Sequence, residues 1–309
     1  MDRKFIVFIT VPRGNRLLVV LTAATLVALS ACSESNPSSA TTEPPAGASV
    51  PAVVAGVATY KAYVGDQIDL MIADTQVFTD AIRAGDLKAA QAAYATSRVG
   101  WERIEPIAGL IETFDGVVDS RVDDFESVND PNFTGWHRLE YLLFSEGTLS
   151  GAVPFANQLQ EDLAELEDGF AELEIPAASV PVGASELVEE VSLGKITGEE
   201  NRYAKTDLWD IEANLDGSVA AIDALAPALK ATDPELLSSI RASFAEVFAT
   251  IKPLRQGDGW KLYCIPNDKF PSDRCPAPTL TQSQVTTLQA QLAALSEQTS
   301  QVAGALDLA

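Results

Sequence analysis

Val57-Ala-Thr-Tyr60-Lys-Ala-Tyr-Val64-Gly-Asp-Gln-Ile68-Asp-Leu-Met71-Ile-Ala-Asp-Thr-Gln-Val-Phe78-Thr-Asp-Ala-Ile82-Arg83 is the stretch whose reading decides the fold. Its apolar residues return every three or four positions, the period of one helix face. From Val53 onward the same spacing dominates, Ala, Leu, Glu and Gln are abundant, and β-branched alternation is scarce, so the chain reads as all-α. Gly85-Asp86 breaks the first helix and starts a second, through Ala89, Tyr94, Trp101 and Ile104 to Pro106. Gly109 and Gly116 make the region to Pro131 irregular. Helices follow over Phe133–Phe144 and Phe155–Leu173, then a Pro-rich connector over Ile175–Pro181. Four more are expected over Ser185–Gly194, Leu208–Leu229, Pro234–Leu254 and Leu280–Leu306. Asp233 followed by Pro234 is a favourable opening, because Asp caps and Pro tolerates the first turn. The helix count and the central connector predict an elongated helical bundle, two pseudo-equivalent four-helix bundles with a cleft between them.

The N-terminus has a different character. Asp2-Arg3-Lys4, Arg13 and Arg16 precede an apolar run from Leu17 to Leu29 that ends in Leu29-Ser-Ala-Cys32. A basic head, a short apolar stretch and small residues before a cut are the layout of a secretory signal over residues 1–31. Leu-Ser-Ala-Cys is similar to the lipobox of bacterial lipoproteins, which makes Cys32 the expected lipidated first residue. A plain signal peptide cut near Ala31, or an uncleaved anchor, is the alternative. Residues 32–51 are rich in Ser, Thr, Pro, Ala and Gly and read as a tether, with the folded part over 52–309.

The whole chain carries a formal charge of −23. Residues 1–31 hold four basic residues and one acidic one; without them 17 Lys and Arg face 43 Asp and Glu, a charge of −26. Such a surface excludes nucleic acid as a partner. Cys264 and Cys275 are the thiols left beyond Cys32. Outside the cytoplasm a pair this close reads as a disulfide closing the loop Ile265–Arg274, stabilising it by roughly 3 kcal/mol. A thiolate metal site is the competing reading, opposed by the absence of C-x-x-C spacing and of a nearby histidine.

His137 is the one histidine in the chain, in Gly135-Trp-His-Arg-Leu-Glu140. On a helix, His137 and Glu140 leave one face a turn apart, as two ligands of one metal ion do. A hydrogen-bonded core histidine is the bland alternative. Glu102 and Glu105, in Trp101-Glu-Arg-Ile-Glu-Pro106, are also one turn apart and serve either a metal or the solvated surface. The segment Phe114–Asp124 can turn Asp119 inward, with Arg121 holding a carboxylate, or it can merely bind itself together. In Gly194–Asp210, Gly198, Glu199 and Glu200, then Thr206 and Asp207, suggest an ordered crossing between helices, with Thr206 or Asp207 as an ordinary cap.

Together these segments resemble the imelysin-like domain of the EfeO and EfeM proteins of bacterial iron-uptake systems, over about Tyr60 to Leu306. The strongest points are Arg103-Ile-Glu-Pro106, Asp119-Ser-Arg121, Thr134-Gly-Trp-His-Arg-Leu-Glu140, Lys195-Ile-Thr-Gly-Glu-Glu-Asn-Arg-Tyr203, Thr206-Asp-Leu-Trp-Asp210 and Ala213-Asn-Leu-Asp-Gly217. The resemblance implies an all-helical domain with an H-x-x-E metal site in a cleft. It places His137 and Glu140 on the motif and Glu102, Glu105 and Asp119 on nearby acidic positions. No cupredoxin-like domain fits between Cys32 and Pro51, so the chain is similar to the shorter EfeM type. Ala204-Lys205 stands where the family pattern has Ser-His.

Oxygen ligands with one imidazole suit Fe(II), Fe(III) or manganese, and accept other divalent ions such as zinc or calcium. The resulting expectation is a non-catalytic binding protein, lipid-anchored at the extracytoplasmic face of the membrane. It captures iron and delivers it to a membrane iron permease, alongside the peroxidase-like component of the same system that the resemblance implies. His137 and Glu140 are the expected ligands, completed by Glu105 and by Glu102 or Asp119. Arg138 is expected to pair with an acid, and Lys195, Glu199, Glu200 and Arg202 to form a structural ion-pair network at the helix crossing, with a metal role as the second reading. Two other classes compete: a metallopeptidase of the imelysin type, opposed by the missing second histidine, and a cation-dependent acidic-polysaccharide binder, opposed by the charge.

Overall fold

The computed structural model describes residues 50–308. The expected signal segment, Cys32 and most of the expected tether lie outside the described residues. Ten α-helices account for most of the rest: α1 (Val50–Arg83), α2 (Leu87–Ile104), α3 (Glu112–Val118), α4 (Gly135–Glu140), α5 (Ala152–Phe170), α6 (Ser179–Leu193), α7 (Asp207–Thr232), α8 (Pro234–Ile251), α9 (Gln282–Thr299) and α10 (Val302–Ala305). A two-stranded antiparallel ribbon, β1 (Arg255–Gln256) with β2 (Gly259–Trp260), is the sheet content among the described residues.

The periodic stretch that opened the reading is α1. Tyr60, Val64, Ile68, Met71, Phe78 and Ile82 form its buried face, which packs on α2, α5 and α7. The second half is built the same way from α6, α7, α8 and α9. The two helical groups share α7, which touches α1 and α2 as well as α6 and α8, so one hydrophobic core runs through both. Close approach makes this sharing possible: a Cβ on Gly217 of α7 would stand 2.2 Å from the Arg103 carbonyl oxygen of α2.

Helix ends follow the capping residues. Asp86 accepts from the Ala89 amide, Asp233 from the Leu236 amide, and Thr281 forms a reciprocal box with Gln284. Neither Thr206 nor Asp207 caps α7: Thr206 makes no capping bond, and Asp207 accepts instead from the Asn201 amide. The Pro-rich connector is shorter than expected, because Pro181 lies in the first turn of α6, where a missing N–H costs nothing. The expected helix over Phe133–Phe144 is a six-residue α4 that widens into a π-turn over Tyr141–Ser145. Gly135 starts α4 at φ 72°, pressed so closely on the Val118 carbonyl that no side chain fits. That contact fixes α4 against the end of α3 and so sets where His137 points.

Candidate metal centre

Arg98 lies at the middle of the molecule with no solvent exposure. It sits on α2 one turn before Glu102 and in phase with Tyr94 and Trp101, so its place on the helix dictates burial. A buried guanidinium is costly unless every donor is paired. Here Nε donates to Asp210 at 3.0 Å, one terminal nitrogen to Asp119, and the other to Glu102 and to Glu200, the last at 2.7 Å. One cation thereby gathers carboxylates from α2, the end of α3, the turn before α7, and α7 itself. Its plane also lies 5.7 Å from the Trp136 ring of α4.

His137 faces this cluster from the other side. Its Nδ1 lies 2.9 Å from Glu140 Oε2, and the second Glu140 oxygen accepts 2.8 Å bonds from the Tyr203 and Ala204 amides. The carboxylate therefore fixes the ring, and loop 203–204 fixes the carboxylate. Nε2 is left pointing at Glu200 Oε1, 3.3 Å away, and Asp119 Oδ1, 3.5 Å away. Ligand atoms of Asp119, His137 and Glu200 all lie within 4.8 Å of one another, as do those of Glu102, Glu105 and Asp119.

Lys195 is the second buried cation. Its Nζ donates to Glu102 at 2.8 Å and to Glu105 at 3.0 Å, and stands 3.6 Å from Glu200. Asn214 of α7 donates to the same two glutamates, while its Oδ1 finds no hydrogen-bond partner. Arg121 reaches in from the surface to Glu200, and Tyr94 and Asn201 extend the network to Asp210.

Six carboxylates (Glu102, Glu105, Asp119, Glu140, Glu200 and Asp210) meet three fixed cations (Arg98, Lys195 and Arg121). With a neutral imidazole, three negative charges are left without a counter-ion. The protons respond accordingly. Burial and then the charge of Glu102 push Glu105 and Asp210 well above the carboxylate range. Burial opposes ionisation of Asp119 most strongly, but Arg98 and the hydrogen bond from His137 together outweigh it and hold Asp119 at about 2. Burial and Arg98 both disfavour an imidazolium at His137, yet hydrogen bonds to Asp119, Glu140 and Glu200 raise it to about 10. Without a bound cation the cluster collects protons. A cavity of about 320 Å³, lined by Glu105, Asp115, Asp119, Arg121, Asp124 and Glu190, leads from solvent to it. Burial and Asp119 raise Asp115 in that mouth to about 6.

The imelysin family model matches residues 56–302, nearly the whole helical body. The chain belongs to the imelysin family. The iron uptake system component EfeO of Escherichia coli K12 and that of Shigella flexneri are each 42% identical to it over 253 residues. That region is 82% of this chain, and the chain spans 64% of the length of these curated relatives. An imelysin-like protein from Psychrobacter arcticum 273-4 shares the fold at a TM-score of 0.55 with 13% identity, over 82% of this chain and 96% of that one.

Within this imelysin fold all five acidic and imidazole positions singled out in the sequence come together around Arg98. Their roles in the geometry differ. Glu140 has both oxygens engaged, Glu102 and Glu105 share Lys195, and Asp119 stands beside His137 Nε2. Glu200, read from sequence as part of an ion-pair network, is the residue that faces the imidazole. Arg98 was not singled out, and Asp210 and Asn214 stood only inside quoted motifs with no role given; a charged residue in phase with a buried apolar face was the available signal for Arg98. Arg138 pairs with no acid: it donates to the Val128 carbonyl and lies over the rings of Phe133, Tyr141 and Phe155. Arg202 binds Asp123 rather than a neighbour in its own segment. The expected disulfide joins Cys264 to Cys275 across a Cα separation of 5.4 Å.

Proposed function

We propose that this imelysin-family chain is a non-catalytic iron-binding component of an uptake system. It is anchored by lipid at Cys32 on the extracytoplasmic face and passes its ion to a membrane iron permease that works with a peroxidase-like component. The observation that carries this reading is the convergence of Asp119, His137 Nε2 and Glu200, with Asp119 also lining an acidic cavity. The names of the EfeO relatives support the choice of iron as cargo.

The donor set suits that cargo. One imidazole among carboxylates fits iron or manganese better than copper(I), and no thiolate lies among these groups. The three negative charges left over after Arg98, Lys195 and Arg121 suit a divalent or trivalent ion that displaces protons from His137, Glu105 and Asp210. Asp119, His137 and Glu200 are the assigned ligands, with Glu102 and Glu105 completing the oxygen set once Lys195 shifts. Glu140 is assigned to orienting the imidazole, a partner whose loss weakens metal sites by about 10–100-fold. Asp115, Asp124 and Glu190 in the mouth attract the cation on its way in.

Anaerobic Fe(II) titration of the full chain in detergent tests the reading, with His137→Ala, Glu200→Gln and Glu140→Gln alongside. Near-complete loss of binding is expected for the first two and a drop of about 10–100-fold for the third. Binding that survives both His137→Ala and Glu200→Gln contradicts the site. Peptide hydrolysis by the iron-loaded chain that a chelator abolishes contradicts the non-catalytic role.

A further inference from the structure

The stretch 195–205 supplies Lys195, Glu200, Asn201 and the two amides that hold Glu140, yet it has almost no regular structure of its own. It begins with a single 3-10 turn, passes Gly198 at φ 77°, and ends at Lys205 at φ 58°. A fully buried lysine in the left-handed region is an unfavourable combination that the surroundings must enforce. Beside the bond from the Lys205 amide to the Asn201 carbonyl, the enforcing contacts come from Tyr263 and the loop closed by Cys264–Cys275.

Tyr263, beside the disulfide, donates from its hydroxyl to the Ile196 carbonyl and from its amide to the Lys205 carbonyl, both at 2.8 Å. Inside the loop, Asp268 accepts from Lys205 Nζ at 2.7 Å, and its other oxygen takes the Phe270 amide at 2.8 Å. The Phe270 ring lies 4.3 Å from the Arg202 guanidinium. Both ends and the middle of the stretch are thus gripped by Tyr263 and the covalently closed loop that follows it.

We infer that Lys205 and Asp268 are positioning residues for the metal centre, and that the Cys264–Cys275 loop acts through them to hold Glu200 and the Tyr203 and Ala204 amides in place. The inference rests on the metal-binding reading above, and it makes ion affinity depend on a disulfide that touches no assigned ligand. Asp268 orders Lys205; Lys205 orders the adjacent amides; the amides orient Glu140, and Glu140 orients His137.

Full-chain Asp268→Asn, Asp268→Glu and Cys264→Ser with Cys275→Ser are compared with the parent for Fe(II) affinity and for the ¹⁵N and Nδ1 proton signals of His137, unambiguous because the chain has one histidine. Asp268→Asn and the cysteine pair are expected to weaken Fe(II) binding about ten-fold. The ion-free Nδ1 proton signal should broaden in both, and Asp268→Glu should recover affinity and signal while helical content stays at the parent level throughout. If the cysteine variant does not fold, Asp268→Asn decides. Affinity within two-fold of the parent in Asp268→Asn, with His137→Ala still abolishing binding, overturns the inference and leaves the metal site standing. Weakened affinity with an unchanged imidazole signal overturns it as well. Fe(II) binding that is indifferent to His137→Ala removes the metal-binding reading itself, and this inference with it.

Discussion

The two halves of α7 share one helix and almost nothing else. The first half buries Asp207, Asp210, Asn214 and Ser218 beside the apolar Leu208, Ile211 and Leu215; the second buries apolar side chains alone, Ala221, Ile222, Leu225, Ala228 and Leu229. Burial alone stabilises the second half, at roughly 25 cal/mol per Å² of apolar surface. The first half gains from area only through Leu208, Ile211 and Leu215, and its other buried face is polar. Asp210 is held by Arg98 and Asp207 accepts from the Asn201 amide, and a paired buried charge contributes much less than its Coulomb energy suggests. The contrast teaches where the molecule has given up stability: the apolar core continues along one side of α7, and on the other side of its first half polar and acidic groups occupy a place that apolar side chains could have filled.

Breaking each half separates the two kinds of stabilisation. Arg98→Met should have the largest effect, about 3–5 kcal/mol of unfolding free energy, because Glu102, Asp119, Glu200 and Asp210 lose their shared cation together. Urea unfolding measures it, and added Fe(II) should restore part of the loss by binding the folded state. A cost under about 1 kcal/mol, at the level of an exposed pair, would mean the cluster is not under charge stress. Leu225→Ala in the apolar half should cost about 2–5 kcal/mol and leave Fe(II) affinity within two-fold. A large affinity change there would show that the halves are not independent.

The smallest effect is graded by pH. His137 in the ion-free fold is raised to about 10 from an ordinary 6.5. Its contribution to stability is therefore complete below about 6.5 and is lost as pH climbs towards 10. An ion bound at Nε2 must expel that proton, so affinity should rise across the same window, by at most about ten-fold per pH unit for one proton. Titration with Mn(II), which stays soluble there, measures the slope; an affinity that falls with pH would contradict protonation of the free site.

Helix α7 was legible because Leu208–Leu229 repeats at helical spacing and burial follows spacing. The site was legible only where residues cluster in sequence, as His137 and Glu140 do. Asp119, Glu102 and Glu105 needed the family resemblance, since each is equally at home on a surface. Glu200 was seen but given a supporting part, because sequence cannot tell which oxygen of a crowded segment meets the imidazole. Arg98 stayed hidden because single arginines on helices are nearly always solvated, and its role is created by four acids 4 to 112 positions away. The π-turn after Glu140 has no local sequence signal either; it follows from packing α4 between α3 and α5.

Iron-edge anomalous diffraction from crystals of the protein grown with Fe(II) tests the central claim most directly. The account predicts one strong peak bounded by Asp119, His137 Nε2 and Glu200, with Arg98 still bound to Asp210. A site filled elsewhere, or no peak at this cluster at saturating iron, would contradict it.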